Sequence, residues 1–220
     1  MTTILEHLER ATLVRGVWGD GNKRACLYTA LVPGATSTDN CPADVMPQWL
    51  ADLTPLLDGN VGQDKWRDRV ARYGRASLRW HVLDAKAWDR VQRRFRAACI
   101  RHALVFVAPL DHGDYWPQVL SVCTCIAETL ERGKEPSKSQ KAAWAAAEAA
   151  AWAAAEEWAA WAAWAAAWTA AGMAAKEAAW AAAETTAWAC DAEEATAWAC
   201  DALFDALMVL IEVEIAKVAP

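Results

Sequence analysis

Residues Lys141–Asp201 read KAAWAAAEAAAWAAAEEWAAWAAWAAAWTAAGMAAKEAAWAAAETTAWACDAEEATAWACD, and this stretch decides the fold. It holds nine of the 15 tryptophans: Trp144, Trp152, Trp158, Trp161, Trp164, Trp168, Trp180, Trp188 and Trp198. Almost everything between them is alanine, with a glutamate or aspartate at intervals. Alanine is the strongest helix former, because it loses no side-chain entropy and buries no polar group. No proline occurs between Pro136 and Pro220, and Gly172 is the only glycine in that interval. The region is therefore expected to be helical.

The spacing of the tryptophans sets the next question. Trp144, Trp180 and Trp198 coincide on a wheel of roughly 100° per residue, with Trp152 and Trp188 about 80° round from them. Trp158, Trp161, Trp164 and Trp168 spread over the other side. The repeats, WAAAEAAAWAAAE and then ETTAWACDAE followed by EATAWACDAL, match neither a heptad nor a known solenoid unit. One straight helix from Ser139 to Val218 would be about 120 Å long at 1.5 Å per residue and would leave most of these rings wet. Each ring can bury about 200 Å², so partners are required. The sequence predicts a long helical hairpin bent near Gly172, or self-association, or both, with the nine tryptophans as the self-association interface. The competing reading packs them on the N-terminal region, which has Trp18, Trp49, Trp66, Trp80, Trp88 and Trp116 of its own.

Outward from the tract, charge divides the chain. The net charge is −6, but residues 1–134 hold 18 Lys and Arg against 15 Asp and Glu, whereas residues 135–220 hold 4 against 13. Composition changes at Gly133–Ser139 (GKEPSKS), where Gly, Pro and Ser concentrate. Two regions are expected: a mildly basic all-helical head, 1–134, and an acidic Ala/Trp-rich long-helix region, 135–220. Arginines cluster at Arg67, Arg69, Arg72, Arg75 and Arg79, and again at Arg90, Arg93, Arg94, Arg96 and Arg101. With Asp64, Asp68, Asp84 and Asp89 interleaved, they read as solvated helix faces with local ion pairs rather than as a nucleic-acid surface.

Within the head, helical spacing covers 3–14, a short run at 25–31 stopped by Pro33-Gly34, and 46–57 with Pro47 in the first turn. It continues over 64 to about 80, with Trp66, Val70, Tyr73 and Leu78 inward. Asp84 is expected to cap a helix reaching about Val107, and 116–130 is the next helix, ending at Arg132-Gly133. Two β-like patches, at 104–107 and 208–211, continue helical patterns and carry no turn signal. The fold class is all-α: a helical N-terminal head plus long Ala/Trp-rich helices, as hairpin or bundle, at the C-terminus.

Little in the sequence points to chemistry. His7 reads as a helix-surface residue, and His81 and His102 as late-helix cations suited to the carbonyl terminus. Asp111-His112-Gly113-Asp114 reads as a turn with Asp114 as a helix cap, and Cys123 and Cys125 fall on opposite sides of a helix, so no metal is expected. Trp18–Arg24 is a Gly-rich loop that matches neither phosphate-binding nor dinucleotide-binding patterns. No nucleophile elbow, HExxH or triad spacing occurs, so no enzyme and no cofactor are predicted. The seven cysteines include no CxxC pair, and the start MTTILEHLER lacks an apolar signal core, which suggests reduced thiols in a cytoplasmic protein. Trp158–Ala175 is uncharged but alanine-based and tightly flanked by Glu156, Glu157, Lys176 and Glu177, so a membrane span is not expected.

ILEHLERATLVRGVWGDGNKRACLYTAL, then CPADVMPQWLADLTPLLD and the Ala/Trp tail, resembles a group of bacterial and bacteriophage proteins that join a small helical head to AAWAAA-type repeats. By composition the chain is also similar to Ala-rich immunity proteins of toxin systems. The resemblance implies a bacterial or phage origin and an intracellular location, and brings no activity with it. The expectation is a non-enzymatic helical assembly protein forming a homo-oligomer. The alternative is an inhibitor or immunity-type binding module with a protein partner; an enzyme of unrecognised type ranks third.

Overall fold

The computed structural model describes residues 3–15, 24–39, 41–60, 63–107, 116–153 and 195–218, together with Ala179 and Ala182. The fold is all-α, as expected, and the described residues form seven helices: α1 (Ile4–Glu9), α2 (Gln48–Asn60), α3 (Gln63–Ser77), α4 (Ala85–Val107), α5 (Trp116–Glu131), α6 (Lys138–Ala153) and α7 (Ala195–Val218). A 3₁₀ turn spans Trp80–Val82. Both β-like patches lie inside helices, α4 and α7.

The caps explain most boundaries. Thr3 and Glu6 form a reciprocal capping box on α1, and the Asp84 carboxylate accepts the Ala87 N–H at 2.7 Å, as its position predicts. Ser137 and Gln140 make the same reciprocal pair at the start of α6. Helix α5 ends in a Schellman motif: Gly133 sits at φ +75°, its N–H bonds the Leu130 carbonyl and the Lys134 N–H bonds that of Thr129.

Helix α1 is shorter than the 3–14 pattern suggests, because an identical motif stops it. Thr12 N–H bonds the His7 carbonyl and Ala11 N–H that of Leu8, with Ala11 itself left-handed at φ +52°. Beyond it, Leu13 and Ala25 form a single parallel bridge. That bridge also limits the expected helix at 25–31, which is a set of turns: Cys26 N–H bonds the Thr29 hydroxyl, Thr29 N–H bonds the Cys26 sulfur, and Pro33 follows too soon for helix propagation. Leu78 is not inward but 52% exposed, since α3 stops at Ser77.

The chain forms two compact units, one of residues 1–91 with 200–220 and the other of residues 92–199. In the first, α1 packs on α3 at Gly74, where an added Cβ would lie 2.9 Å from Ile4 Cγ2 and 3.1 Å from Leu5 Cδ2. The glycine that weakens α3 locally is what lets α1 approach. Aromatic rings run through this core in edge contact: Trp49 on Trp88 (6.2 Å), Trp88 on Trp80 (5.6 Å) and Trp80 on Tyr73 (5.1 Å), with Phe204 of α7 tilted against Tyr73 at 6.1 Å. Leu203, Leu207, Met208 and Ile211 of α7 are wholly buried beside them. In the second unit α5 packs against α6, with Gln140 bonded to Thr129, and Val119, Cys123, Ile126 and Ala127 of α5 are buried.

Candidate functional site

The structure places two of the nine interface tryptophans with their side chains. Trp144 is partly buried on α6, and Trp198, in the first turn of α7, is 51% exposed. Trp152 lies in the last turn of α6. Trp158, Trp161, Trp164, Trp168, Trp180, Trp188 and the bend expected near Gly172 lie outside the described residues.

The best-defined part of the region is therefore α7. Its inner side carries a ladder of carboxylates onto the arginines of α3 and α4. Asp201 accepts Lys65 at 3.6 Å and Arg69 at 3.4 Å; Asp205 accepts Arg69 at 2.9 Å and Arg72 at 3.4 Å. Glu212 takes Arg72 through two parallel bonds, 2.8 Å from Nε and 2.7 Å from Nη2. Buried Glu214 takes Arg90 on one oxygen and Lys217 on the other. Residues 65, 69 and 72 share one face of α3, as 201, 205 and 212 share one of α7, so helical period alone builds the ladder.

These contacts set the charge states. Hydrogen bonds from Arg72 hold the Glu212 carboxyl below the ordinary carboxylate range, against an opposing effect of burial. Burial pushes Glu214 up, but the bonds from Arg90 and Lys217 outweigh it and the net shift is downward. The arginine rows are thus only in part solvated faces: Arg67, Arg75 and Arg79 are exposed, while others are drawn into distant pairs. Arg69 is buried and pairs with residues more than 130 positions away, and Arg96 of the second unit is buried beside Glu135 at 3.2 Å. The sequence held a signal for this in the opposite charge of its two ends.

The outer side of α7 differs in kind. Ala202, Val209 and Val213 are exposed and Ala206 is partly so, at intervals of four, three and four that keep them on one stripe. Val209 is 49% and Val213 42% exposed. A helix apolar on both sides is ordinarily one buried on both sides. The alanines at 202 and 206 would let a facing backbone approach closely, with the valines filling the space beyond.

The remaining candidates are placed as follows. His7 is fully buried rather than on the surface, its Nδ1 2.8 Å from the Thr12 hydroxyl, because the tight stop at Ala11 folds Thr12 back over it. His81 bonds the Leu78 carbonyl through Nδ1 at 3.1 Å, and His102 lies tilted against Phe106 at 4.9 Å, with burial lowering its pKa. Cys123 is buried, its thiol pushed up to about 12, while Cys125 is exposed and meets Gln140 Nε2 at 3.2 Å. Among the described residues no group of three His, Cys, Asp or Glu could hold a metal, no helix is long and apolar enough to cross a membrane, and no cysteine is in a disulfide. The loops 16–23 and 108–115, with Asp111, His112 and Asp114, lie outside the described residues. Comparison with protein-family models, with curated proteins and with solved structures gave no match for this chain.

Proposed function

We propose that the chain is a non-enzymatic helical assembly protein that associates with copies of itself through the C-terminal helical region. The observation that carries the reading is the outer stripe of α7, Ala202, Ala206, Val209 and Val213, on a helix whose opposite side is already committed to the core and to the arginine ladder. Two such stripes suit a two-fold arrangement, in which the same patch from each copy faces the other. A stable interface needs about 800 Å² from each partner, more than four small side chains supply. The tryptophans at 144, 152, 158, 161, 164, 168, 180, 188 and 198 are the natural source of the remainder.

The second reading, an inhibitor or immunity-type module engaging a basic partner, draws on the acidity of the tail. Asp201, Asp205, Glu212 and Glu214 are spent on the protein's own arginines, which weakens that case. Truncation is a poor test, because removing α7 would take Leu203, Phe204 and Leu207 out of the first core. Light scattering after size exclusion is the test, on the full chain and on a variant with Val209→Lys and Val213→Lys. Both sites are exposed, so the fold is kept. Association by the full chain and its weakening in the variant support the reading; a monomer at every concentration overturns it.

A further inference from the structure

We propose that a cleft between the C-terminal half of α3 and the last turns of α7 binds a small soluble molecule carrying a phosphate monoester on an apolar body. The cleft lies within the first compact unit and has a volume of about 400 Å³, inside the range of small-molecule sites. Arg72 and Arg75 line it from α3 and Arg79 from the turn that follows, with Glu212 opposite. Ala76 and Ile215, both nearly buried, form an apolar floor.

Arg69, Arg72, Arg90, Arg93, Arg96, Arg101 and Arg132 each have a carboxylate within 4.0 Å. Arg75 and Arg79 are exposed, and among the described residues neither has one. Both line the same cleft, Arg75 from the last turn of α3 and Arg79 from just beyond it. Arg72 is not a third free cation, since Glu212 occupies its fork and Asp205 its remaining side. Glu212 is neutralised in return, both its oxygens facing Arg72. The cleft therefore presents, above an apolar floor, two guanidinium groups with no carboxylate contact within 4.0 Å among the described residues, Arg75 feeling Glu212 only at longer range.

That pattern selects its ligand. A dianion matches two guanidinium groups that lack a direct carboxylate contact, and phosphate oxygens suit their planar donors. A monocarboxylate would leave one cation unmatched. The end of α3 offsets the repulsion between the two cations, because helix carbonyl termini favour positive charge. A nucleic-acid surface would need a far larger basic field than two charges on a chain of net charge −6.

The test is calorimetric titration of the full chain with phenyl phosphate at pH 7.5, where the monoester is a dianion. Inorganic phosphate and benzyl alcohol are the parallel probes. Saturable binding of phenyl phosphate is expected with a Kd below about 1 mM. Inorganic phosphate should bind at least roughly tenfold more weakly and benzyl alcohol not detectably, because each lacks half of the match. Arg75→Gln with Arg79→Gln should lose about tenfold or more in affinity with an unchanged thermal unfolding midpoint. Absence of saturable binding, equal affinity for inorganic phosphate, or full affinity in the double variant would each overturn the proposal.

Discussion

Arg72 and Glu212 stand 140 positions apart in the chain and meet as a two-pronged fork, Nε to Oε1 at 2.8 Å and Nη2 to Oε2 at 2.7 Å. The fork and its neighbour, Glu214 with Arg90, join the C-terminal helix to the helices of the head. Both carboxyl groups titrate below their ordinary value. Their contribution to stability is fully present above the unfolded-chain value, about 4.3. It is lost as pH falls through the lower, folded values. Denaturant unfolding between pH 7 and pH 3 should therefore show stability holding to about pH 5 and dropping below it. A flat profile down to pH 3 would contradict the ladder.

The two carboxylates should not be worth the same. The Glu212 side chain is 44% exposed, whereas that of Glu214 is 2% exposed. Water and salt screen the first pair, so Glu212→Ala should cost less than about 1 kcal/mol. Glu214→Ala removes the shared acceptor of Arg90 and Lys217 inside the protein and should cost roughly 2 kcal/mol, softened because both cations can turn to water. Urea midpoints at pH 7 give the order directly.

A buried hydroxyl pair offers an asymmetric test. Thr54 Oγ1 lies 2.7 Å from the Leu50 carbonyl and 2.7 Å from the Tyr73 hydroxyl. A carbonyl only accepts, so the Thr54 proton goes to Leu50 and Tyr73 must donate to Thr54. Tyr73→Phe then removes a donor and leaves nothing stranded, at a cost of about 1 kcal/mol. Thr54→Val strands the buried Tyr73 proton and should cost about 2 kcal/mol. Equal losses in the two unfolding curves would contradict this donor assignment.

Three glycine and alanine exchanges should move stability in opposite directions. Ala11 holds a left-handed conformation at a helix stop, so Ala11→Gly should stabilise by about 0.5–1 kcal/mol. Gly133 has the same geometry with open space around it, and Gly133→Ala should cost about 1 kcal/mol for backbone strain alone. Gly74→Ala gains about 1 kcal/mol of helix propensity. It also drives a methyl group against the stiff, branched Ile4 side chain, and should lose about 1–2 kcal/mol net. Thermal midpoints of the three variants check all the signs.

The sequence made some of this legible. Asp84 and Gly133 announce their caps because each residue type has one strong local role. The stop at Ala11 was hidden, since alanine carries no turn signal. Burial of His7 follows from that same stop. Interleaved aspartates suggested local partners for the arginines, yet Asp201, Asp205, Glu212 and Glu214 took them. Periodicity reports which residues share a face, and only the tertiary fold decides which face meets which. For the same reason the tract identified tryptophans in need of partners without identifying the partners. Val209 and Val213 were hidden inside a run that reads as continuous core.

Self-association of the C-terminal region is the central claim, and light scattering after size exclusion tests it most directly. The full chain should elute with a mass that is a multiple of 24.0 kDa. The Val209→Lys and Val213→Lys variant should shift toward one chain mass with an unchanged circular-dichroism spectrum. A full chain of 24.0 kDa at every concentration would contradict the account. The outer stripe of α7 would then be surface awaiting a different molecule.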